Sequence, residues 1–152
     1  MRPASRLVFI LIVFVLPQLG WTQTYASSSE RKLFDSANRE RQQRGLPTLQ
    51  WDEALAAAAR AHAKEMAARG TISHQFPGEP SMPARITKAG AHFSALAENV
   101  AMAPNAATVH DLWMHSPPHR ANLLDPGLNS LGVGAVEHNG QLFAVEDFSK
   151  SK

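Results

Sequence analysis

Histidine and carboxylate side chains are the only candidates for chemistry in this sequence. It holds seven histidines and one tyrosine but no cysteine, so thiol catalysis is excluded. The His-Glu-x-x-His pattern of zinc peptidases and the Gly-x-Ser-x-Gly pattern of serine hydrolases are both missing. Any reactive or metal-binding site must therefore be built from imidazole and carboxylate groups.

Three residues stand out by their positions. His74 comes shortly after Gly70, a residue that we expect to end a helix. His119 directly follows Pro118, which breaks another predicted helix, so both histidines enter loops where side chains can converge. Glu98 lies between apolar residues beside a predicted strand, which indicates either a buried, paired acid or a surface residue on a sheet edge. Spacing alone does not bring these side chains together, so both interpretations stay open.

The other histidines that we weighed have structural interpretations. His62 lies on the predicted buried side of a long helix, where a core histidine with satisfied hydrogen bonds is expected. His92 and His138 fall in predicted loops and are expected at the surface. His110 and His115 are five residues apart, which places them on different faces of a helix.

Helices come first among the elements that must position these residues. Caps, glycine stops and prolines predict helices over residues 28–44, 53–69, 82–89 and, less sharply bounded, between 104 and 116. Ser27 and Glu30 form a capping box before the first helix, and Asp52 caps the second. In the last helix, Leu112 and Trp113 are expected on the buried side. Residues 46–51 are too short and proline-broken for a helix, so a loop that inserts apolar side chains into the core is predicted there.

The C-terminal part of the chain has the pattern of strands. Asn139-Gly140 separates two apolar-rich runs, which is a strong signal for a β-hairpin. A further strand is predicted over residues 96–101. Helices followed by antiparallel strands indicate an α+β fold rather than an alternating parallel one.

The first residues of the chain predict export. The chain has 152 residues, and its longest apolar run, residues 7–16, follows Arg2 and Arg6. This run is shorter than the roughly 20 residues that a membrane-spanning helix needs, so a cleaved signal peptide is expected rather than a transmembrane anchor. Cleavage after Ala26 would leave one domain over residues 27–152 and place it outside the cytoplasm, secreted or periplasmic.

The charge balance argues against nucleic acid as a partner. The chain has 15 Lys and Arg against 13 Asp and Glu. Without Arg2 and Arg6 the two signs balance, and no basic stripe remains to bind nucleic acid or an anionic membrane. Since there is no cysteine, packing rather than disulfide bonds must stabilise the exported domain.

A series of short motifs is spread in order along almost the whole chain. They are Asn38-Arg39-Glu40-Arg41, Gly45-Leu46-Pro47-Thr48-Leu49-Gln50-Trp51-Asp52, Ala61-His62-Ala63-Lys64-Glu65-Met66-Ala67, Ser73-His74, Ala97-Glu98-Asn99-Val100-Ala101, Trp113-Met114-His115-Ser116-Pro117-Pro118-His119-Arg120-Ala121-Asn122-Leu123-Leu124, Leu131-Gly132-Val133-Gly134 and Val145-Glu146-Asp147-Phe148. The ordered set resembles the CAP superfamily, which includes cysteine-rich secretory proteins, antigen 5 and plant pathogenesis-related proteins. It is most similar to the cysteine-free bacterial branch, the SCP domain, over about residues 30 to 149.

The resemblance implies an α-β-α sandwich, with an antiparallel sheet between helical layers and a central cleft. In the family this cleft is lined by two histidines and two acids, and a divalent metal such as zinc has been seen between the histidines. By the motifs, His74 and His119 match the histidines and Glu98 the first acid. Ser116 stands where eukaryotic members have the second acid. The implied binding cleft is therefore His74, Glu98, Ser116 and His119, with His74 and His119 as ligands to a Zn²⁺ that is not required for folding.

The resemblance leaves three functions open. The first is a non-enzymatic binding module for a small, lipid-like or cell-envelope ligand, with a monomer as the default. The second is a metal-dependent, peptidase-like hydrolase in which His74 and His119 hold the metal and Glu98 is the general base. The third is an interaction domain with a vestigial cleft. The pattern contains no residues that mark an oxyanion hole and no third histidine ligand, so the sequence favours binding over hydrolysis. Arg120 and Asn122 are expected to hold the His119 segment in place.

Overall fold

The computed structural model describes residues 26–152. The signal peptide predicted for the first 26 residues lies outside the described residues, except for Ala26 itself. The described elements are α1 Ser28–Gln43, β1 Gln50–Trp51, α2 Glu53–Arg69, α3 Met82–Lys88, β2 Phe93–Ala103, α4 Ala106–His115, α5 Pro117–Leu123, β3 Ser130–His138 and β4 Gln141–Ser151. Within this range, no helix is both long and apolar enough to span a bilayer.

The first two helices begin and end where the sequence predicts. The Ser27 hydroxyl accepts from the backbone N–H of Glu30, and the Glu30 carboxylate accepts from the backbone N–H of Ser27, which completes the capping box. Asp52 caps α2 by accepting from two backbone N–H groups. Gly70 ends α2 in the left-handed conformation, with φ 65°, which a residue with a Cβ adopts at a cost.

The four strands form one sheet in the order β1-β3-β4-β2. β3 and β4 make the predicted hairpin, and β2 pairs antiparallel with the other side of β4. The turn residues Asn139 and Gly140 both have positive φ, 50° and 73°, as a tight hairpin turn requires. The predicted antiparallel arrangement is therefore right for the three long strands.

The loop predicted over residues 46–51 is wrong at its C-terminal end. Gln50 and Trp51 form β1, which pairs in parallel with Ser130 and Leu131 of β3, so the sheet is mixed. A two-residue strand exists only because its distant partner lies beside it, and local sequence carries no sign of that. The expected insertion into the core is correct for Leu49, which is buried.

Helices cover both faces of the sheet. α1, α4 and α5 pack on one face, around a core that includes Leu33, Trp113 and Phe148. α2 packs on the other face, in a core that includes Met66 of α2 and Val145 of β4, and α3 contacts α2 on that side. The fold is thus the expected α-β-α sandwich of the α+β class.

Two glycines of β3 let α2 lie directly on the sheet. A Cβ atom at Gly132 would be 2.1 Å from the backbone nitrogen of Ala56, and one at Gly134 would be 2.3 Å from the carbonyl carbon of Ala59. Neither neighbour can move away without shifting the helix backbone. The contact holds α2, and with it His62 one turn further along, close to the strands.

The double proline has a second role that the sequence interpretation missed. Pro117 and Pro118 end α4 but also occupy the first turn of α5, a position that suits a residue with no backbone N–H. His119 therefore lies in a helix and not in the predicted loop. In α4, Trp113 is fully buried as expected, whereas the expected burial of Leu112 is wrong because its exposure is 49%.

Candidate functional site

The structure joins His74 and Glu98 in a direct hydrogen bond. His74 lies in the loop after α2, and Glu98 lies in β2, 24 residues further along the chain. The Nδ1 atom of His74 is 2.8 Å from Oε1 of Glu98. The His74 side chain is 61% exposed while that of Glu98 is 3% exposed. A buried acid thus holds an exposed imidazole, which settles the two interpretations of Glu98 in favour of the paired acid.

Arg85 is the buried partner on the other side of the acid, and the sequence analysis missed it. Its guanidinium donates to Oε2 of Glu98 at 2.5 Å and to the carbonyl of His74 at 3.2 Å. It also donates to the carbonyl of Pro80 at 3.3 Å. A single arginine in the seven-residue helix α3 has no periodic signal that could have predicted its burial. Arg85 therefore fixes both the acid and the backbone of the exposed histidine.

His119 and Ser116 lie at the start of α5. Ser116 is half-buried at the junction of α4 and α5, and within the described part of the chain its hydroxyl makes no hydrogen bond. His119, one turn further, is half-buried and experiences the charge of His74. Among the described residues, hydrogen bonds join His74 to Glu98 directly and the backbone of His119 to Asn99 of β2, and none joins the side chain of His119 or Ser116 to His74 or Glu98.

A pair of asparagines ties α5 to β2. The Nδ2 group of Asn122 donates to the carbonyl of Glu98 at 3.3 Å and to Oδ1 of Asn99 at 2.9 Å. In turn, Nδ2 of Asn99 donates to the carbonyl of His119 at 3.2 Å. The supporting role expected of Asn122 matches these contacts. Arg120 is exposed and makes no side-chain hydrogen bond among the described residues.

The pKa values of the two histidines move in opposite directions. The hydrogen bond to Glu98 is the main reason why the pKa of His74 is raised. Partial burial and the charge of Arg85 act in the opposite direction without cancelling this rise. For His119, burial lowers the pKa first and the nearby charge of His74 lowers it further. As the pH falls through the histidine range, His74 therefore takes up a proton before His119 does.

Two buried acids on β4 complete the surroundings, and the sequence analysis missed both as site neighbours. Across the strands, Asp147 pairs with Glu98 and Glu146 pairs with Asn99. Burial raises the pKa of Glu146 to about 8, although a hydrogen bond from Asn99 opposes the change. Burial and then the negative charge of Glu98 raise the pKa of Asp147 well above its usual range. The presence of two acids within an apolar run was the sequence signal that could have identified them. The structure buries all of residues 142–149.

A small cavity opens beside the exposed histidine. Its volume is about 320 Å³. Its lining residues come from the loop after α2, the start of α3 and β2: His74, Gln75, Ser81, Met82, Pro83 and Glu98. The volume is at the lower end of the range for small-molecule sites in proteins.

The donor atoms available for a metal ion are few. Within residues 26–152 no three or more His, Cys, Asp and Glu side chains form a group that could hold one. Because Nδ1 of His74 is bonded to Glu98, Nε2 is the atom left for a ligand. The chemically suitable donors here are thus two imidazoles, fewer than the three protein ligands of a typical catalytic zinc site.

Comparison with known proteins identifies the family. The profile of the cysteine-rich secretory protein family, CAP, matches residues 34–148. The Bacillus subtilis protein YkwD is 36% identical over 134 residues, which cover 85% of this chain and 52% of YkwD. An extracellular SCP-domain protein of Bacillus anthracis has a crystal structure that matches with a TM-score of 0.75 and 28% identity, over 81% of this chain and 40% of that one.

A more distant structure shares the fold alone. NaASP2, solved with Zn²⁺, matches with a TM-score of 0.61 and 11% identity, over 86% of this chain and 84% of that one. The chain spans about half the length of YkwD and less of the Bacillus anthracis protein. The family profile covers most of the described domain, and the site residues lie within the matched range. The chain therefore belongs to the cysteine-rich secretory protein (CAP) family.

Proposed function

We propose that this protein is an exported binding module whose cleft holds a divalent metal ion between His74 and His119. In this proposal Glu98 and Ser116 belong to the same cleft. The single observation that carries the proposal is the 2.8 Å hydrogen bond between Nδ1 of His74 and the buried Glu98. It holds the ring so that Nε2, the free nitrogen, is directed away from the acid.

A hydrogen bond to a carboxylate, like that of His74 to Glu98, is typical of histidines that bind a metal. Such histidines bond their second nitrogen to a carboxylate or carbonyl, which fixes the ring and makes the ligand nitrogen more basic. Arg85 completes the support by holding the other oxygen of Glu98. Glu98 therefore acts as a positioning group and not as a metal ligand.

His119 is the second ligand in this proposal. Its pKa is lowered, so its ring stays neutral and able to bind a metal at pH values where an ordinary histidine begins to take up a proton. The Zn²⁺ in the NaASP2 structure belongs to that protein and supports the proposal only through the common fold. An ion held by two imidazoles would keep open positions and present positive charge to an oxygen of a ligand.

Binding is favoured over hydrolysis by the contacts of Glu98. Both of its oxygens are engaged, one with His74 and one with Arg85. A general base must reach a water molecule, and Glu98 is poorly placed to do so because its side chain is only 3% exposed and both oxygens already accept hydrogen bonds. The cavity beside His74, with Met82 and Pro83 in its wall, has room for a small ligand.

Calorimetric titration with zinc tests the proposal. The metal-free protein should bind one equivalent, and His74→Ala and His119→Ala should each abolish binding because one imidazole makes a poor site. Glu98→Gln should weaken binding by about ten-fold because it loosens the support of His74. His92→Ala, at an exposed histidine outside the cleft, is the matched control and should bind as the natural protein does. Unchanged affinity in both His74→Ala and His119→Ala would refute the proposed site.

A further inference from the structure

A second histidine, fully buried in α2, is linked to the site. His62 has no exposed surface. Its Nε2 atom is 2.7 Å from the carbonyl oxygen of Ser73, the residue before His74. Its Nδ1 atom is 2.6 Å from Oε1 of Glu79, which lies later in the same loop. His62 thus contacts both ends of the loop that carries His74.

Both ring nitrogens of His62 face oxygen atoms of the loop. A carbonyl oxygen only accepts hydrogen bonds, so Nε2 of His62 donates to Ser73. Burial alone would raise the pKa of Glu79, but the hydrogen bonds from Phe76 and His62 and the charge of Arg85 outweigh it and lower that pKa. Glu79 therefore faces Nδ1 of His62 as a carboxylate, and the two side chains form a buried histidine–acid pair.

Glu79 holds the loop together as well as bonding His62. Its Oε2 atom accepts from the backbone N–H of Phe76 at 3.0 Å. Its backbone carbonyl accepts from the side-chain amide of Gln75 at 3.0 Å. Removing the charge of Glu79 would weaken the hydrogen bond from Phe76, which loosens residues 73–80, and would leave His62 without its acid.

The pair continues into the contacts that fix His74. The guanidinium of Arg85 lies 3.7 Å from Oε1 of Glu79 and donates to Oε2 of Glu98 at 2.5 Å. Glu98 in turn bonds His74. Basic and acidic side chains thus alternate from His62 through Glu79, Arg85 and Glu98 to His74. All of them except His74 are buried or nearly buried.

We propose that His62 and Glu79 are positioning residues for the metal ligand His74. The pair pins residues 73–80 against α2 and, through Arg85 and Glu98, sets the orientation of the exposed ring. This inference rests on the proposed metal-binding function for its biological meaning, but the orientation of His74 can be measured without metal. A histidine that merely fills the core would stabilise the domain and leave the His74 ring unaffected.

The test compares Glu79→Gln with a variant that destabilises the domain from the opposite layer. Glu79→Gln keeps the shape of the side chain and removes its charge. Leu33→Ala removes apolar contacts of α1 on the other face of the sheet. For each metal-free protein we would record the side-chain ¹⁵N signals of His74 and the hydrogen exchange of the amides of residues 73–80. Zinc affinity is then measured on the same samples.

The proposal predicts a distinct result for each variant. In Glu79→Gln the ¹⁵N signals of His74 should move toward those of a free imidazole, the amides of 73–80 should exchange faster, and zinc affinity should fall about ten-fold. Leu33→Ala should melt at a lower temperature without any of these changes. His62→Gln, which keeps an N–H for the Ser73 carbonyl, is the second variant if Glu79→Gln does not fold.

Two outcomes would overturn the inference. One is an unchanged His74 ring and unchanged loop exchange in Glu79→Gln. The other is an equal effect of Leu33→Ala, which would attribute the changes to lost stability. If the natural protein binds no zinc, the proposed function fails, but the ring signals and the exchange of residues 73–80 still decide whether the buried pair positions His74.

Discussion

Glu146 should make the stability of this domain fall as the pH rises. Its side chain is fully buried, Oε2 accepts from Nδ2 of Asn99 at 3.2 Å, and Oε1 has no hydrogen-bond partner among the described residues. Burial raises its pKa from 4.5 to about 8. At neutral pH the folded protein therefore holds a proton on Glu146 that the unfolded chain has released.

The sign and size of the effect follow from linkage. Between pH 4.5 and about 8 the unfolded state binds fewer protons, so rising pH favours unfolding. Each pH unit within this window costs about 1.4 kcal/mol, and the whole window amounts to roughly 5 kcal/mol. That is comparable with the total stability of about 5–15 kcal/mol of a typical domain.

Glu146→Gln isolates this contribution because the amide stays neutral and still offers an oxygen to Asn99. The pKa of Asp147 is also raised by burial, so Asp147 makes the free energy of unfolding fall with rising pH in both the natural protein and Glu146→Gln. The stability gained by Glu146→Gln should therefore increase by about 1.4 kcal/mol per pH unit across the middle of the window. Glu137→Gln, at an exposed acid of β3, is the matched control and should leave the slope unchanged.

Urea unfolding followed by tryptophan fluorescence measures this. We would determine the free energy of unfolding at about pH 5, 6.5 and 8 for the three proteins. Parallel stability curves for the natural protein and Glu146→Gln would refute the reasoning, because they would show that Glu146 is ionised in the folded state.

Two further predictions rest on the structure and one on the sequence. Zinc binding should weaken as the pH falls through the raised pKa of His74, because a protonated ring binds no metal. The loss should begin above the ordinary histidine pKa of 6.5, and calorimetry across this pH range measures it. Trp113→Ala should cost about 3–5 kcal/mol in urea unfolding, because Trp113 is fully buried, and a cost under about 1 kcal/mol would contradict that. Mass spectrometry of the exported protein should find Ser27 at the N-terminus, whereas an intact Met1 would contradict the predicted signal peptide.

Sequence predicted the elements whose signals are local. The capping box at Ser27, the cap at Asp52, the stop at Gly70 and the Asn139-Gly140 turn each act within a few residues, and the structure has all four. β1 was missed because it depends on a distant strand. α5 was missed because a proline that ends one helix can also begin the next.

The site could be predicted only in outline. The order of family motifs singled out His74 and Glu98, and the structure joins them. The partners that hold them, Arg85 and Asn99, are polar residues buried by tertiary packing, and neither a period nor a spacing marks such residues in a sequence. His62 was correctly interpreted as a buried histidine, but its bond to an acid 17 residues away was not predictable.

The most direct test of the central claim is a zinc titration followed by the NMR signals of all the histidine rings. If His74 and His119 share one ion, the signals of both should change together and reach completion at one equivalent. The rings of the exposed His92 and His138 should keep their signals throughout. A change at only one of the two proposed ligands, or separate changes at different zinc concentrations, would contradict a shared site.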